Sequence, residues 1–387
     1  MLNILHLSNN KEPGKQAPEE KANQNGKLFW IWVSVFLDVI GFAVLFPYLP
    51  RFYLDLGAAL PRVGLYLSVG AMIGLFSNIL WGRAADHFGR NRVLLVCRLG
   101  AAAGYLLLAM SKNITWLLVA RVVDGIFSRT VPVSLAAISD LVPHERQSGE
   151  MSRIGIAWMV GGLIGPGIGA ALALSGLFAL GIFCAALTVA SMLISLAVLR
   201  KDSHHRQDQK VPASENPAKK TALFSARVFK NPRARALLTQ NIFAFLAYFT
   251  FSTATTLYMT KQFALTVAQI GTLLTSANIL NLFVRLTIFP LVLRRLGDAK
   301  TYQLGLLAYL AAFAWLMVAA DPVQFTLILV LTSFGTSCSL DVMNGRLSQA
   351  VSADQRGEIM GLNATAENVA LIVGPIVAGN ALAMPGI

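Results

Sequence analysis

The sequence predicts an all-α membrane protein that crosses the bilayer many times. Its 387 residues are 55% hydrophobic and only 13% charged, whereas a soluble domain carries roughly 25% charged residues. Apolar runs recur along the chain at about the 20-residue length that a helix needs to cross the hydrocarbon layer. Because lipid offers no hydrogen-bond partners to the backbone, each run is expected to form a helix.

Eleven runs meet this description: 29–50, 63–81, 93–111, 114–139, 153–174, 177–199, 236–259, 267–293, 302–319, 323–349 and 359–381. With a cytoplasmic N-terminus, 23 of the 32 lysines and arginines fall on the cytoplasmic side of these spans. This bias follows the positive-inside rule and predicts a multi-pass protein of the inner, cytoplasmic membrane. The net charge of +13 therefore reflects topology and does not indicate a nucleic-acid partner.

The chain divides at its one long polar insertion. We expect a polar cytoplasmic tail at 1–28, a bundle of six spans at 29–199, a cytoplasmic linker at 200–235, and a bundle of five spans at 236–387. Two pseudo-symmetric bundles of this kind are typical of transporters built from internal repeats.

The two bundles share a sequence pattern. Arg146 precedes Pro166 by 20 residues, and Arg356 precedes Pro375 by 19, each time in a glycine-rich span. The link RRLGDAK of the second bundle also resembles, in degenerate form, the motif GRAADHFGRNR in the first. These matches favour a duplicated unit.

Four segments together resemble the drug–proton antiporters of the major facilitator superfamily, which include multidrug and tetracycline exporters. They are LDVIGFAVLFPYLP in the first span, GRAADHFGRNR after the second, RVVDG with ISDLVPHER in the fourth, and GGLIGPGIGAAL in the fifth. The resemblance covers nearly the whole chain and implies a major facilitator fold of two helical bundles. That fold has twelve spans, so the eleven predicted here lead us to expect a truncated chain that lacks the twelfth helix.

The resemblance also assigns roles to two motifs. The link after the second span implies a cytoplasmic latch that closes the inner side of the outward-facing state, formed by Gly82, Asp86, Gly89, Arg90, Arg92 and Asp140. In the latch, Asp86 would face the N-terminal end of the eleventh span. From the residues alone, we expect Gly82 to let helices approach and Gly89 to permit a tight turn. The fifth span carries the antiporter motif Gly161, Gly165, Pro166 and Gly169, in which the glycines share one helix face for close packing and the proline can bend the helix.

Charges inside the spans mark a candidate cavity for substrate and protons. Ionisable groups at membrane depth are costly and normally face a cavity or a partner. Arg121 and Asp124 are neighbours on one helix, and a neutralising structural pair is an alternative for them. We expect Arg98 to snorkel from a helix end, while Arg285 and Arg346 could be anchors for lipid headgroups.

Asp38 and Glu367 differ, since neither has a charged neighbour within a helical turn. Desolvation favours the neutral form of a carboxyl group and a nearby arginine favours the ionised form. Our hypothesis is that either Asp38 or Glu367 carries the coupled proton, with Arg121 modulating it. The predicted cavity group is therefore Asp38, Arg121, Asp124, Asp341 and Glu367.

The predicted function is proton-coupled export of small amphipathic compounds by a monomeric transporter. Aromatic residues on the first and seventh spans suit a bulky substrate, although most of them are expected to pack or to face lipid. A sugar or metabolite carrier is an alternative, kept open by Asn278, Asn281, Asn363 and Asn368, and a truncated, non-transporting remnant is another. We expect no enzyme, catalytic residue, metal or cofactor, because the chain has no nucleophile–base set, nucleotide loop or metal-ligand spacing.

Overall fold

The structure is a computed structural model that describes residues 18–128, 130–142, 144–202, 231–262, 265–316, 318–319, 321–352 and 355–383. Fourteen α-helices span these residues: α1 (Pro18–Leu45), α2 (Leu49–Asp55), α3 (Leu60–Phe88), α4 (Arg90–Ala109), α5 (Ile114–Phe127), α6 (Thr130–Leu141), α7 (His144–Ala173), α8 (Gly176–Asp202), α9 (Pro232–Gln262), α10 (Val267–Phe283), α11 (Phe289–Leu316), α12 (Pro322–Thr336), α13 (Val342–Gln349) and α14 (Arg356–Ala381). The all-α prediction is confirmed.

Three short helical segments of other geometry join some of these helices. A 3₁₀ turn, Phe46–Tyr48, connects α1 to α2. Two π-helical segments, Val284–Ile288 and Ser337–Asp341, connect α10 to α11 and α12 to α13. Isolated π turns within α-helices are rare and often mark functional sites.

Nine helical stretches within the described residues are long and apolar enough to cross a membrane, fewer than the eleven predicted spans. Gln269–Leu316 counts as one stretch of 48 residues, although Gly297, with φ 70° and ψ 170°, interrupts it. The predicted span 114–139 consists of α5 and α6, of 14 and 12 residues, so neither crosses a membrane alone. Helices nevertheless occupy each of the eleven predicted segments.

The links at Gly89 and Gly297 have the same backbone geometry. Gly89 has φ 90° and ψ 136° and separates α3 from α4. The predicted loop before it is therefore wrong in part, because α3 continues through Phe88 and only Gly89 departs from helical geometry. The tight turn that we predicted at Gly89 is present, and its likeness to Gly297 supports the duplication.

Helices pack in an equivalent way in the two parts of the chain. In the first part α1 packs against α7, and α5 packs against α3 and α4. In the second part α9 packs against α14, and α12 packs against α10 and α11. The two parts contact each other mainly through two helix pairs, α3 with α14 and α7 with α10.

These contacts between the parts concentrate at one end of the helices. We call it the Gly57 end, after the residue between α2 and α3, and we call the opposite end the Gly89 end. The Ser68 hydroxyl donates to the carbonyl oxygen of Ile372 at 2.5 Å, and Asn278 Nδ2 donates to that of Gly162 at 2.7 Å. Ser68 lies only eight residues from the start of α3, about 12 Å along the helix axis. The two parts therefore meet closely in the half of the structure next to the Gly57 end.

Candidate functional site

Arg98 and Asp38 form a buried ion pair between α4 and α1. The Arg98 side chain is fully buried and that of Asp38 is 7% exposed. The guanidinium donates to Asp38 Oδ2 from Nε at 3.3 Å and from a terminal nitrogen at 3.1 Å. It also donates to the hydroxyl of Ser34 at 2.9 Å and to that of Ser195 on α8. One side chain thus holds three helices together.

This pair corrects two expectations. Arg98 does not snorkel to a helix end, because each part of its guanidinium finds an acceptor inside the bundle. Asp38 has a charged neighbour after all, supplied by a helix 60 residues further along the chain. The predicted modulation of Asp38 by Arg121 is therefore replaced by direct pairing with Arg98.

Arg121 and Asp124 form the neutralising pair that their spacing allows. Arg121 donates to the Asp124 carboxylate, which also accepts from the Ser128 hydroxyl. Their side chains are 7% and 14% exposed. Gly70 of α3 leaves room for the guanidinium, because a methyl group there would lie 2.6 Å from a terminal nitrogen of Arg121. The two ion pairs Arg98–Asp38 and Arg121–Asp124 are thus enclosed within the helices of the first part.

The second part places an ion pair in a more open setting. Arg285 donates to Asp341 Oδ2 at 2.5 Å, and the two side chains are 44% and 35% exposed. Each residue lies in one of the π-helical segments. Arg285 thus has a partner within the protein, Asp341, rather than only the lipid headgroup that was its alternative. The sequence contains no signal for this pairing, since the residues are 56 positions apart.

Arg346 lies elsewhere, near the Gly89 end. It lines a cavity of about 440 Å³ together with Arg233, Tyr302 and residues of α9 and α11. This position leaves its role as a headgroup anchor open. The cavity lies at the ends of these helices, away from mid-depth, and does not include Glu367.

Glu367 lies at mid-depth on α14, with an exposed side chain. Exposed valines mark another face of this helix: Val369 is 41% and Val373 is 37% exposed. At 3.6 residues per turn they lie about 160° and 120° around the helix from Glu367. Tyr248 of α9 is within electrostatic range of both Glu367 and Arg285. We interpret the Glu367 face as the side toward the space between the two parts, and the valine face as the lipid side.

The asparagines that kept a sugar carrier open are largely engaged elsewhere. Asn363 is buried and bonds with Asn241 and Asn344 across three helices. Asn278 donates to a backbone carbonyl of α7, and Asn368 donates to one of its own helix at 2.8 Å. Of the four, only Asn281 has a buried amide oxygen for which the described residues provide no partner.

The glycine–proline motif of α7 packs against α1 as its spacing predicts. A methyl group at Gly165 would lie 2.7 Å from Ala43, and one at Gly161 would lie 2.9 Å from Val39. One at Gly169 would overlap Tyr48, whose buried hydroxyl donates to the Pro166 carbonyl oxygen. α7 continues as one helix through Pro166.

The charged motif at the Gly89 end is exposed. Asp86 is 70% exposed and lies 3.8 Å from Arg90, and Arg92 is also exposed. Gly82 has open space where a methyl group would point, so the close helix approach that we expected there is wrong. The side chain of Asp140, the last member of the predicted latch, lies outside the described residues.

The described residues contain no group of three or more histidine, cysteine or acidic side chains placed to hold a metal. All three cysteines are buried and separate. What the geometry offers instead is a set of ionisable groups at membrane depth, enclosed in the first part and accessible in the second.

Comparison with known proteins agrees with this architecture. The model of the major facilitator superfamily matches residues 31–375. The chain belongs to the major facilitator superfamily. It is therefore a multi-pass membrane transporter and not an enzyme.

Curated members of the superfamily show what the chain is similar to. The tetracycline resistance protein, class E, of Escherichia coli is 25% identical over 348 residues, which cover 89% of this chain and 85% of that protein. A multidrug resistance efflux pump, the PmrA homolog of Lactococcus lactis, is 25% identical over 380 residues, covering 93% and 89%.

Solved structures share the fold. A bacterial homolog of the human lysosomal transporter Spinster, inward-facing and unoccupied, matches with a TM-score of 0.74 at 15% identity and covers 93% of this chain and 82% of its own. The nucleoside transporter NupG matches with a TM-score of 0.69 at 16% identity, covering 92% and 90%. The major facilitator fold predicted from the sequence is confirmed.

Proposed function

We propose that this transporter exports small amphipathic compounds in exchange for protons, acting as a monomer by alternating access. The observation that carries the proposal is the exposed carboxyl group of Glu367 at mid-depth on α14. The names of the curated relatives state tetracycline resistance for the Escherichia coli protein and multidrug-resistance efflux for the Lactococcus lactis protein.

Proton coupling needs an acid whose surroundings change between the two access states. Burial disfavours an ionised carboxylate, and contact with water or a cation favours it. Glu367 can experience both, since closing the Gly89 end would enclose the side chain that is now exposed. Asp38 is less suited, because it is enclosed in the bundle and paired with the fully buried Arg98. We therefore assign the coupled proton to Glu367.

The orientation follows from the distribution of charge. The positive-inside rule places the Gly89 end, with the N-terminus, in the cytoplasm. The structure would then be the inward-facing state, closed at the outer, Gly57 end. The exposure of Asp86 suits a latch that is open in this state and forms only when the Gly89 end closes. On closure Asp86 would face the N-terminal end of α14, and Arg90, which already lies 3.8 Å from Asp86, would join Asp140 in the latch.

The test measures energised export and passive exchange separately. Cells that express the protein should accumulate less ethidium or tetracycline than controls, and a protonophore should remove the difference. Glu367→Gln should abolish this uphill export while reconstituted vesicles retain exchange of labelled for unlabelled substrate. Asp55→Asn, an exposed acid at the Gly57 end, is the matched control and should behave as wild type.

Two results would contradict the proposal. Uphill export by Glu367→Gln at the wild-type rate would remove Glu367 from the coupling step. Wild-type cells that accumulate drugs like empty cells, and vesicles that take up sugars instead, would favour the metabolite carrier.

A further inference from the structure

Arg285 occupies an unusual position within the second part of the transporter. It lies 18 residues from the start of α10 and eleven from Leu296, just before Gly297 ends the helical stretch, which puts it about 5 Å from mid-depth. Asp341 reaches it from the neighbouring helix, and Tyr248 and Glu367 are within electrostatic range of the same region. A cation at this depth is costly and normally serves a pathway or a partner.

Arg285 lies on a different side of its helix from the exposed apolar residues of α10. Ile279 and Phe283, 56% and 61% exposed, mark the apolar face of α10. At 3.6 residues per turn, Arg285 lies about 120° from Ile279 and about 160° from Phe283. It shares its side of the helix with Asn281, one turn earlier, and with Asn278, which bonds to α7. Arg285 therefore belongs to a polar stripe that faces the space between the two parts.

The ion pair of Arg285 and Asp341 differs from the two structural pairs in the first part. There the guanidinium groups are 0% and 7% exposed, whereas Arg285 is 44% exposed. Accessible ion pairs contribute little to stability, because water competes for both charges. Asp341 accepts from one terminal nitrogen, and the described residues show no acceptor for the remaining guanidinium donors. The guanidinium is thus held loosely and can bind a second anion.

Both members of the pair lie on π-helical segments, which supports a role beyond packing. A π turn shifts the residues after it around the helix axis at the cost of regular hydrogen bonding, and such turns are frequent at functional sites. Here one turn carries Arg285 and the other carries Asp341. The ion pair links the two irregular segments.

We propose that Arg285 binds an acidic group of the transported compound, and that Asp341 is a positioning residue that holds the guanidinium and competes with that group. The ligand class is an amphipathic molecule with a carboxylate or an equivalent oxyanion, because a guanidinium presents paired donors that match two oxygens. This inference rests on the proposed function, since it names a feature of the substrate that the transporter exports.

The test uses two rhodamine dyes that differ only at the acid: rhodamine 110, which has a free carboxyl group, and its methyl ester, rhodamine 123. Fluorescence polarisation with purified protein in detergent measures binding of each dye at constant pH, without a gradient. Arg285→Gln should weaken the binding of rhodamine 110 by about 10- to 100-fold, as expected for the loss of a charge-assisted contact. It should change the binding of rhodamine 123 by less than about twofold.

Asp341→Asn separates substrate binding from a structural role. If Asp341 competes with the ligand, this variant should bind rhodamine 110 several-fold more tightly than wild type, opposite in sign to Arg285→Gln. Arg285→Lys keeps the charge but lacks the paired donors of the guanidinium, so it should give an intermediate affinity. This variant also tests the proposal if Arg285→Gln fails to fold. Arg295→Gln, an exposed arginine ten residues further along, is the matched control and should leave both affinities unchanged.

Equal weakening of both dyes by Arg285→Gln and Asp341→Asn would overturn the proposal in favour of a structural pair. Failure of wild-type protein to bind rhodamine 110 would overturn it as well. Neither measurement depends on proton coupling. Loss of gradient-driven export in Glu367→Gln therefore tests the proposed function independently of this site.

Discussion

The guanidinium of Arg98 lies 3.1 Å from Asp38 Oδ2, fully buried between α1 and α4. The pair is completed by hydroxyl groups of Ser34 and Ser195, so Arg98 of α4 finds its hydrogen-bond acceptors on two other helices, α1 and α8. Removing one partner of such an ion pair is strongly destabilising, because the other charge then remains buried without compensation. Asp38, the acid of the first span, therefore has a structural role in holding the bundle together.

This structural role predicts a loss of stability in Asp38→Asn. The variant should lose about 3–5 kcal/mol of stability, because it leaves the buried guanidinium of Arg98 without a counter-charge. Thermal unfolding in detergent, followed by intrinsic fluorescence, measures the loss. Asp55→Asn provides the control, because its carboxylate pairs at the surface, where such pairs contribute less than about 1 kcal/mol.

A double variant sharpens the interpretation. Asp38→Asn combined with Arg98→Gln removes both charges and should recover part of the stability lost by Asp38→Asn alone. If Asp38→Asn instead unfolds like wild type and loses only uphill export, Asp38 is the coupling acid and the assignment to Glu367 is wrong.

The sequence predicts the features that depend on local spacing. The apolar runs identify the helices, and the spacing of Arg121 and Asp124 allows the pair that forms. The glycines of α7 face α1 because residues four apart share a helix face. Gly89 adopts the tight turn for which a residue without a side chain is suited.

The features that sequence reasoning missed depend on contacts between distant segments. Arg98 meets Asp38, and Arg285 meets Asp341, only because of how the helices pack. The π-helical segments were not predicted either, because a π turn depends on the hydrogen bonding of the folded backbone. At Gly82 the sequence predicted a close helix approach that is absent, because a glycine in a motif need not face a neighbouring helix.

Closure of the Gly57 end depends on glycines where the two parts meet. A methyl group at Gly271 would overlap Ala170 and lie 2.6 Å from the Tyr48 hydroxyl, both in the first part. Gly271→Ala should therefore disfavour the closed Gly57 end and shift the population toward the opposite access state. Gly345→Ala is the control, because its methyl group would meet open space.

The measurement is the distance between spin labels at Asp55 and Gln269, two exposed positions near the Gly57 end in different parts of the chain. Gly271→Ala should lengthen this distance relative to wild type and to Gly345→Ala. An unchanged distance distribution would show that the contact at Gly271 does not control closure.

The turn at Gly89 should be sensitive to substitution, unlike the other glycine of its motif. Its φ of 90° with ψ of 136° is unfavourable for a residue with a side chain. Gly89→Ala should cost about 1–3 kcal/mol, seen as a lower unfolding temperature and lower membrane yield. Gly82→Ala lies within α3 and has open space, so it should be neutral or stabilising. Equal loss of stability in both variants would mean that the motif acts through packing rather than backbone geometry.

The asparagine cluster of the second part should prove structural rather than substrate-binding. Asn363 Nδ2 donates to Asn344 Oδ1 at 2.9 Å, and its own amide oxygen accepts from Asn241. Asn363→Ala removes two hydrogen bonds from the cluster and leaves Asn241 and Asn344 only their longer mutual contact of 3.3 Å, a loss that should cost about 1–3 kcal/mol. Thermal unfolding should show this loss, while Asn380→Ala, an exposed residue bonded only to its own helix, should shift stability by less than about 0.5 kcal/mol. Asn363 lies one helical turn from Glu367, but it is buried and its amide is already bonded to Asn241 and Asn344. The KM for export should therefore stay within about twofold of wild type, and a tenfold rise in KM at unchanged stability would restore Asn363 as a substrate contact.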